Sequence, residues 1–271
     1  MSEQEYHLKS FLLLAIVVSG LLIVPASVAS AESPTDPSDP ALTPPAINTT
    51  PGSKYADDTR QFQGIPGIER ADNGRVWALW YAGGPDEKAE GPGNYVVLVT
   101  SGDDGKTWSE PQLVIDPPGP VRAYDPCLWH DPNGQLWLFW AQSYNWWDGR
   151  SGVWCITTRE SGKKAPAWSA PRRICNGILM NKPTVRSNGE WLLPASVWAQ
   201  PATDRTPAEF RHDLGIESGA NVLVSIDQGN SWKFRGQAHV PDRVFDEHMI
   251  VERRNGSLWM LVRAAYGIGE S

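Results

Sequence analysis

The chain has 271 residues, of which 41% are hydrophobic and 20% are charged, a composition typical of a folded globular protein and not of a disordered or multi-span membrane protein. It carries 24 Lys and Arg residues against 31 Asp and Glu residues, so its net charge of −7 excludes a basic surface for nucleic acid. The 25 glycines and 23 prolines indicate many turns and short strands, which excludes a helical bundle.

The N-terminal 31 residues have the pattern of an export signal. An apolar run over residues 11–24 is followed by the small residues Ala29, Ser30 and Ala31, which signal peptidases accept. The run is shorter than the roughly 20 residues that span a membrane. We therefore expect export with cleavage before Glu32, and a retained membrane anchor is the alternative, since the residues before the run lack the usual positive charge.

A linker and one folded domain are expected after the signal. Residues 32–57 are rich in Pro, Ser, Thr and Asp, which predicts a flexible linker, and the domain is expected over 58–271. Three cysteines lie in or beside apolar stretches, and we expect buried free thiols, with a bridge between the last two as the alternative: Cys127, Cys155 and Cys175. Their spacing does not match a metal site.

Four segments repeat one pattern, in which an apolar stretch leads to an Asn-Gly pair and then to an apolar, mostly Trp-containing strand. They cover residues 65–84, 125–143, 182–198 and 247–267, and their Asn-Gly pairs are 60, 55 and 67 residues apart. Asn-Gly between apolar runs is the strongest short-range signal of a β-hairpin, because both central residues of the tightest hairpin turn have positive φ. Each repeat is therefore predicted to open with a hairpin.

A second pattern, S-x-D-x-G-x-[ST]-W, follows the first and third hairpins. Its key positions are Ser101, Asp103, Gly105 and Trp108 in one copy, and Ser225, Asp227, Gly229 and Trp232 in the other. A degraded copy runs from Thr157 to Trp168. The pattern predicts a tight turn in which Asp accepts backbone N–H groups, Gly is left-handed and Trp packs beneath. Two hairpins per repeat give a four-stranded sheet, which is the size of a propeller blade.

These eight-residue boxes resemble the Asp boxes, or bacterial neuraminidase repeats, of the sialidase superfamily, and the chain is similar to glycoside hydrolase family 33. The resemblance implies an all-β, six-bladed propeller of which about four blades lie in this chain. It also implies that the boxes are structural and lie at the blade periphery. The chain is expected to be C-terminally truncated, with the tyrosine nucleophile of a sialidase in the part beyond it.

Alignment of the four hairpins predicts which residues line the mouth of the propeller. The leading ends of the innermost strands meet there, and four residues occupy near-equivalent places six to nine residues before each Asn: Gly64, Asp125, Lys182 and Glu247. We therefore predict a polar site lined by Asp125, Lys182, Asp246 and Glu247. Exposed loop charges are the alternative interpretation.

The resemblance assigns roles to some of these residues. Glu247 and Arg263 match the glutamate that activates the tyrosine nucleophile and one of three arginines that hold the substrate carboxylate. Asp125 resembles an Asp-Pro residue at the rim of the pocket. A catalytic acid is expected in the first blade, where Asp86, Glu87 and Glu90 are candidates and Asp86 is our choice.

The sequence also departs from the sialidase pattern. Gly64 stands where sialidases have the first clamp arginine, and Arg122 is a candidate for a displaced positive charge. Lys182 has no sialidase counterpart, and it is expected either to bind an anion or to pair with Glu247. Trp147 lies in a loop, where its ring suits contact with a sugar, whereas the hairpin tryptophans are predicted to be core: Trp77, Trp80, Trp137, Trp140 and Trp259.

We expect an exported sialidase-like exo-glycosidase that removes terminal sialic acid or a related anionic sugar from glycoconjugates, with this chain inactive alone. The alternatives are a non-catalytic propeller that binds carbohydrate or protein, and a polysaccharide lyase. The expected partner is a carbohydrate, with no cofactor, no metal and no nucleic acid. Membrane contact is expected only through the cleavable signal.

Overall fold

The computed structural model describes residues 39–144, 152–198, 217–241, 243 and 245–264. Within these ranges the chain forms fifteen β-strands and three short 3₁₀ helices, and none of these helices is long and apolar enough to cross a membrane. The predicted export signal and Trp147 lie outside the described residues.

The first sheet contains five strands in the order β1-β5-β4-β3-β2, and every pair is antiparallel. Its strands are β1 (Ile47–Asn48), β2 (Phe62–Arg70), β3 (Val76–Gly83), β4 (Asn94–Ser101) and β5 (Leu113–Ile115). Strands β2 to β5 follow one another up and down across the sheet, so this sheet is one repeat of the sequence pattern with β1 added at its outer edge.

The next three sheets repeat this arrangement. The second contains β6 (Val121–His130), β7 (Leu136–Tyr144), β8 (Gly152–Thr158) and β9 (Arg172–Asn176), and the third contains β10 (Thr184–Val185), β11 (Trp191–Val197), β12 (Gly219–Ser225) and β13 (Lys233–Ala238). The fourth is the hairpin of β14 (Met249–Glu252) and β15 (Leu258–Leu261). The predicted all-β class and the antiparallel blade-like sheets are confirmed, while the number of blades in a closed ring stays a prediction.

The four Asn-Gly pairs form hairpins, but the predicted turn type is wrong. Only the glycine of each pair has positive φ: Gly74, Gly134, Gly189 and Gly256, at 91°, 77°, 89° and 80°. In the first hairpin the Gly74 N–H donates to the Ala71 carbonyl, and the Ala71 N–H donates to the Arg75 carbonyl. The other three hairpins repeat these two bonds. The loop is thus a three-residue turn that ends in a left-handed glycine, a common alternative to the two-residue turn.

The second half of the segment expected to be a flexible linker is packed against the domain. Ala41 and Leu42 are 2% and 1% exposed, and strand β1 pairs with β5. The buried amide of Gln142 donates to the carbonyl oxygens of Ala41 and Thr43. The composition did not predict this order because the contacts that hold the Pro-rich segment come from distant residues of the domain.

Tryptophan-rich cores join the sheets face to face. Between the first and second sheets, Trp77, Trp140 and Trp154 are almost fully buried. Between the second and third, Trp137 and Trp191 pack edge to face with ring centroids 6.3 Å apart. Large aromatic rings fill such wedge-shaped spaces with few side-chain torsions to order. Trp259 departs from its predicted core role, because it is 45% exposed and stacks under Arg253.

Both boxes form the same hydrogen-bonded turn. In the third-sheet box, Ser225 Oγ donates to Asp227, and Asp227 accepts from the N–H and the hydroxyl of Ser231. The Gly229 N–H donates to Ser225 Oγ, and both Gln228 and Gly229 are left-handed. The first-sheet box has the corresponding bonds among its own residues.

The two box tryptophans differ in their surroundings. Trp232 is 5% exposed and belongs to the core between the second and third sheets, whereas Trp108 is 44% exposed. The three cysteines are buried free thiols, which confirms that prediction.

Candidate functional site

The leading ends of β2 and β6 are shaped by the same irregularity. Asp125 has φ 44°, and the pairing of β6 with β7 shifts between Tyr124 and Cys127. Ile65 has φ 50° at the corresponding shift in β2. A left-handed residue that is not glycine costs conformational energy, and such residues are concentrated at functional sites. The bulge re-aims the backbone of β6 at the position predicted to line the mouth.

Asp125 is a buried carboxyl group. Its residue is 5% exposed. Burial raises the pKa of Asp125 to about 7, the guanidinium of Arg122 opposes this rise, and the negative charges of Glu90 and Glu247 add to it. Glu90 belongs to the first repeat, Arg122 and Asp125 to the second, and Glu247 to the fourth. Acidic groups from three repeats therefore lie close together at this site, and one of them, Asp125, has a pKa near neutral pH.

Glu247 lies two residues before β14 and faces Arg263, which lies two residues after β15. Arg263 Nη1 is 2.8 Å from Glu247 Oε1. Burial raises the pKa of Glu247, Arg263 opposes the rise, and Glu90 adds to it. The amide of Asn181 in the third repeat donates to the Glu247 carbonyl at 3.0 Å, which fixes the backbone at this position.

Glu90, rather than Asp86, is the first-repeat carboxylate that reaches this group. The Tyr81 hydroxyl at the end of β3 donates to Glu90 Oε1 at 2.6 Å. Burial and the neighbouring Glu90 strongly raise the pKa of Tyr81, so this phenol stays protonated and acts as a donor. Asp86 is exposed, and no interaction with the three carboxyl groups is found for it within the described ranges.

Arg122 lies at the leading end of β6 but is 2% exposed. Its guanidinium carbon is 3.6 Å from the centroid of the Tyr124 ring, and Nη1 donates to Asn94 Oδ1 at 3.3 Å. Arg122 therefore supplies a buried positive charge close to Asp125. Tyr81 and Asn94 did not stand out in the sequence, because nothing in their local patterns separates them from core and turn residues.

Asp246 is not at the surface of the mouth as predicted, because it is 1% exposed. Both of its carboxylate oxygens accept from Arg243 Nη1, at 2.9 and 3.0 Å, and Ser196 Oγ donates to it at 2.6 Å. The next side chain, Glu247, points to the partly exposed side. Asp246 thus anchors the segment that carries Glu247.

Lys182 contacts the first sheet and pairs with Glu69 instead of Glu247. Its Nζ bonds to a Glu69 carboxylate oxygen and lies 3.3 Å from the Ile68 carbonyl. The other Glu69 oxygen is 3.3 Å from His130 Nδ1. Burial opposes ionisation of Glu69, but the hydrogen bonds from His130 and Lys182 outweigh burial and lower its pKa. This ionic contact joins the first three repeats.

The geometry suits recognition of a polar ligand with acid–base groups. Glu247 is held beside a cation, Asp125 titrates near pH 7, and Glu90 is oriented by a phenol. Carboxyl groups with different environments are the usual means by which one site supplies both a proton donor and a base. No cluster of His, Cys, Asp and Glu suited to a metal ion occurs in the described part of the chain.

The sequence model of the BNR repeat-like domain matches residues 74–270, which run from the first hairpin turn through the fourth sheet. The chain belongs to this family. A search of curated proteins gives no match.

Solved structures share the fold. A protein of unknown function from Dyadobacter fermentans aligns with a TM-score of 0.55 at 19% identity over 83% of this chain. An intramolecular trans-sialidase from Ruminococcus gnavus, crystallised with oseltamivir carboxylate, aligns with a TM-score of 0.55 at 13% identity over 81%. A sialidase from Streptococcus pneumoniae aligns with a TM-score of 0.53 at 13% identity over 83%. This BNR-repeat chain spans 68% of each of the first two structures and 51% of the third.

Proposed function

We propose that this BNR-repeat protein is an exported exo-glycosidase that removes a terminal sialic acid or a related anionic sugar from glycoconjugates. The observation that carries the proposal is the convergence of Glu90, Asp125 and Glu247 from three repeats: the negative charge of Glu90 raises the pKa of both Asp125 and Glu247, and that of Glu247 raises the pKa of Asp125. The fold shared with sialidases supports a carbohydrate substrate. Export rests on the sequence of residues 1–31.

Each acidic group has a distinct role in the proposed reaction. Glu90 gives its proton to the leaving oxygen as the bond from that oxygen to the anomeric carbon breaks, and a nucleophile deprotonated by Glu247 bonds to the anomeric carbon. Water then replaces this nucleophile, so that a proton of the water returns to Glu90 and the proton on Glu247 returns to the nucleophile. We assign the acid role to Glu90 rather than to Asp86 because the Tyr81 hydroxyl orients Glu90. Glu247 serves as the base that activates the nucleophile, as in the sialidases that the sequence resembles.

Arg263 provides the contact with the anionic group of the sugar. It is 54% exposed and lies beside Glu247, so one face of its guanidinium is open to a carboxylate. Guanidinium groups bind carboxylates through paired hydrogen bonds. Asp125, with its pKa of about 7, is partly protonated at neutral pH, and its protonated form is a hydrogen-bond donor for the sugar.

The test uses the protein expressed from its complete gene and compares fluorogenic substrates that differ in the terminal sugar, namely a sialoside, a glucuronide and a glucoside. We expect release from the sialoside to exceed release from the glucoside. The Glu90→Gln variant should lose at least about 100-fold in rate, as removal of a general acid does. The matched Asp86→Asn variant should retain the rate. Equal loss in both variants, or preference for the glucoside, would contradict the proposal.

A non-catalytic carbohydrate-binding propeller is the second candidate. It is favoured by Gly64 at the first clamp position and by the deep burial of Arg122. On this alternative, the protein binds the sialoside without releasing its fluorophore, and Glu247→Gln changes neither result.

A further inference from the structure

A polar groove lies between the second and third sheets, among the hairpin turn of β6 and β7, strand β8 and the third-sheet box. Its volume is about 580 Å³, which is in the range of small-molecule sites. Its lining includes Asn133, Gln135, Arg159, Arg172 and Gln228. None of these residues belongs to the carboxyl cluster at the mouth.

One substitution between repeats accounts for the open space. In the first repeat, Arg75 lies two residues after Asn73, and its Nε donates to the Gly162 carbonyl of the next sheet at 3.1 Å. Gln135 lies two residues after Asn133 in the second repeat. Its shorter side chain makes no such bond to the third-sheet box in the part of the chain that the structure describes. The corresponding junction is therefore open at this place.

The groove is locally positive although the whole chain has a net charge of −7. Arg159 and Arg172 line it and are both exposed. The one carboxylate in the lining, Asp131, accepts from the N–H groups of Asn133 and Gln135, and its other oxygen accepts from the indole of Trp137. Those three bonds engage both oxygens of this buried carboxylate, so oriented dipoles stabilise its negative charge.

The groove is also held in shape before any ligand binds. Arg172 donates to the Asn230 and Gly229 carbonyls, each at 2.7 Å, and so ties the second sheet to the box. Asn133 Nδ2 donates to Gln228 Oε1 at 3.2 Å across the same junction. Arg159, in contrast, has no ion-pair partner among the described residues, so the N–H groups of its guanidinium can bind a ligand.

We propose that this groove is a second binding site, which takes a saccharide segment that carries a carboxylate. Arg159 provides a charge-assisted contact with the carboxylate. The amides of Asn133, Gln135 and Gln228 provide both donors and acceptors, which is what sugar hydroxyl groups require. The choice of a saccharide rests on the proposed function, while the preference for an anion rests on the two guanidinium groups alone.

The test uses trigalacturonic acid as the probe, with its fully methyl-esterified form as the neutral counterpart, in titrations followed by isotope-edited NMR. We expect the acid to shift the amide signals of Asn133 and Gln228, and the ester to bind at least about tenfold more weakly. The Arg159→Ala variant should also lose at least about tenfold in affinity for the acid, the usual effect of one charge-assisted hydrogen bond. Arg254→Ala, which removes an exposed charge in the turn of the fourth-sheet hairpin, should bind the acid as the unmodified protein does.

Several results would overturn the second site. These are the absence of binding, equal binding of acid and ester, full affinity in Arg159→Ala, or signal shifts confined to the region of Glu247 and Arg263. The Glu247→Gln variant distinguishes a failure of the second binding site from a failure of the proposed hydrolase function. It should retain trigalacturonate binding in the groove whether or not the mouth hydrolyses a glycoside.

Discussion

Arg263 Nη1 donates a hydrogen bond of 2.8 Å to Glu247 Oε1 across the hairpin that joins β14 to β15, and the same guanidinium lies 5.7 Å from the ring centroid of Phe245. The bond holds a base and a cation together at the open end of the hairpin. Glu247 is 26% exposed and Arg263 is 54% exposed, so the pair is accessible to a ligand and is not a core element.

Removal of Arg263 should raise the pKa of Glu247. Burial already raises this pKa, and Arg263 is the charge that opposes the rise. In Arg263→Ala the carboxyl group should therefore titrate at a higher pH, and the acidic limb of any activity profile should move the same way. Carbon-detected NMR of the Glu247 carboxyl measures the titration directly. An unchanged or lower pKa would contradict the role of the pair, and Arg254→Ala serves as the control.

The stability of the protein should fall as pH rises from about 4 to about 7, in part because of Asp125. Its pKa is raised from 3.8 to about 7, so the folded state binds a proton in this range that the unfolded state has lost. The contribution is fully present below pH 4 and is lost as pH rises through 7. Its steepest slope is about 1 kcal/mol per pH unit.

Urea unfolding at several pH values tests the role of Asp125. Asp125→Asn should remove this component of the pH dependence, whereas the exposed Asp86→Asn should keep it. If Asp125→Asn and the unmodified protein show parallel curves between pH 4 and 7, the carboxyl group is not buried as described.

Asp246 should contribute far more to stability than an exposed acidic residue in an ion pair. It is 1% exposed and bound by Arg243 and Ser196, so Asp246→Asn leaves a guanidinium without its counter-ion and should cost about 3 kcal/mol. The Arg70–Asp104 pair is exposed on both sides, and Asp104→Asn should cost less than about 1 kcal/mol. Equal losses in chemical unfolding would show that Asp246 is not the anchor of this segment.

The two box tryptophans offer a matched pair for a packing test. Trp232→Ala should destabilise the protein by about 3 kcal/mol or more, because it empties a site in the core between the second and third sheets. Trp108→Ala removes a ring that is 44% exposed and should cost about 1 kcal/mol. Thermal and urea unfolding compare the two variants, and a larger loss in Trp108→Ala would contradict the described packing.

The hairpins could be located from the sequence because Asn-Gly pairs act locally. Their turn type could not be predicted, because an Asn-Gly pair occurs in both two-residue and three-residue loops. The two loop types differ in which flanking residues pair, here Ala71 and Arg75. Packing of residues 39–48 was missed because it depends on distant partners, above all the amide of Gln142 and the edge of β5.

The position of the candidate site can be predicted from the sequence to the extent that its residues lie at the ends of strands. Asp125, Glu247 and Arg263 were identified from their places in the repeats and from the resemblance to sialidases. The partner of Lys182 was missed because a long side chain reaches Glu69 on another sheet, and only the packing of repeats sets that distance. Asp246 and Glu247 are adjacent in sequence, yet one is an internal anchor and the other is partly exposed.

The most direct test of the central claim is the effect of Glu247→Gln, in the protein expressed from its complete gene, on hydrolysis and on binding of the same sialoside, with the exposed Glu110→Gln as control. The substitution keeps the shape of the side chain and removes its basicity. We predict a loss of at least about 100-fold in turnover with ligand affinity changed by less than about tenfold. Hydrolysis at the unmodified rate in Glu247→Gln would contradict the assignment of the mouth as the catalytic site.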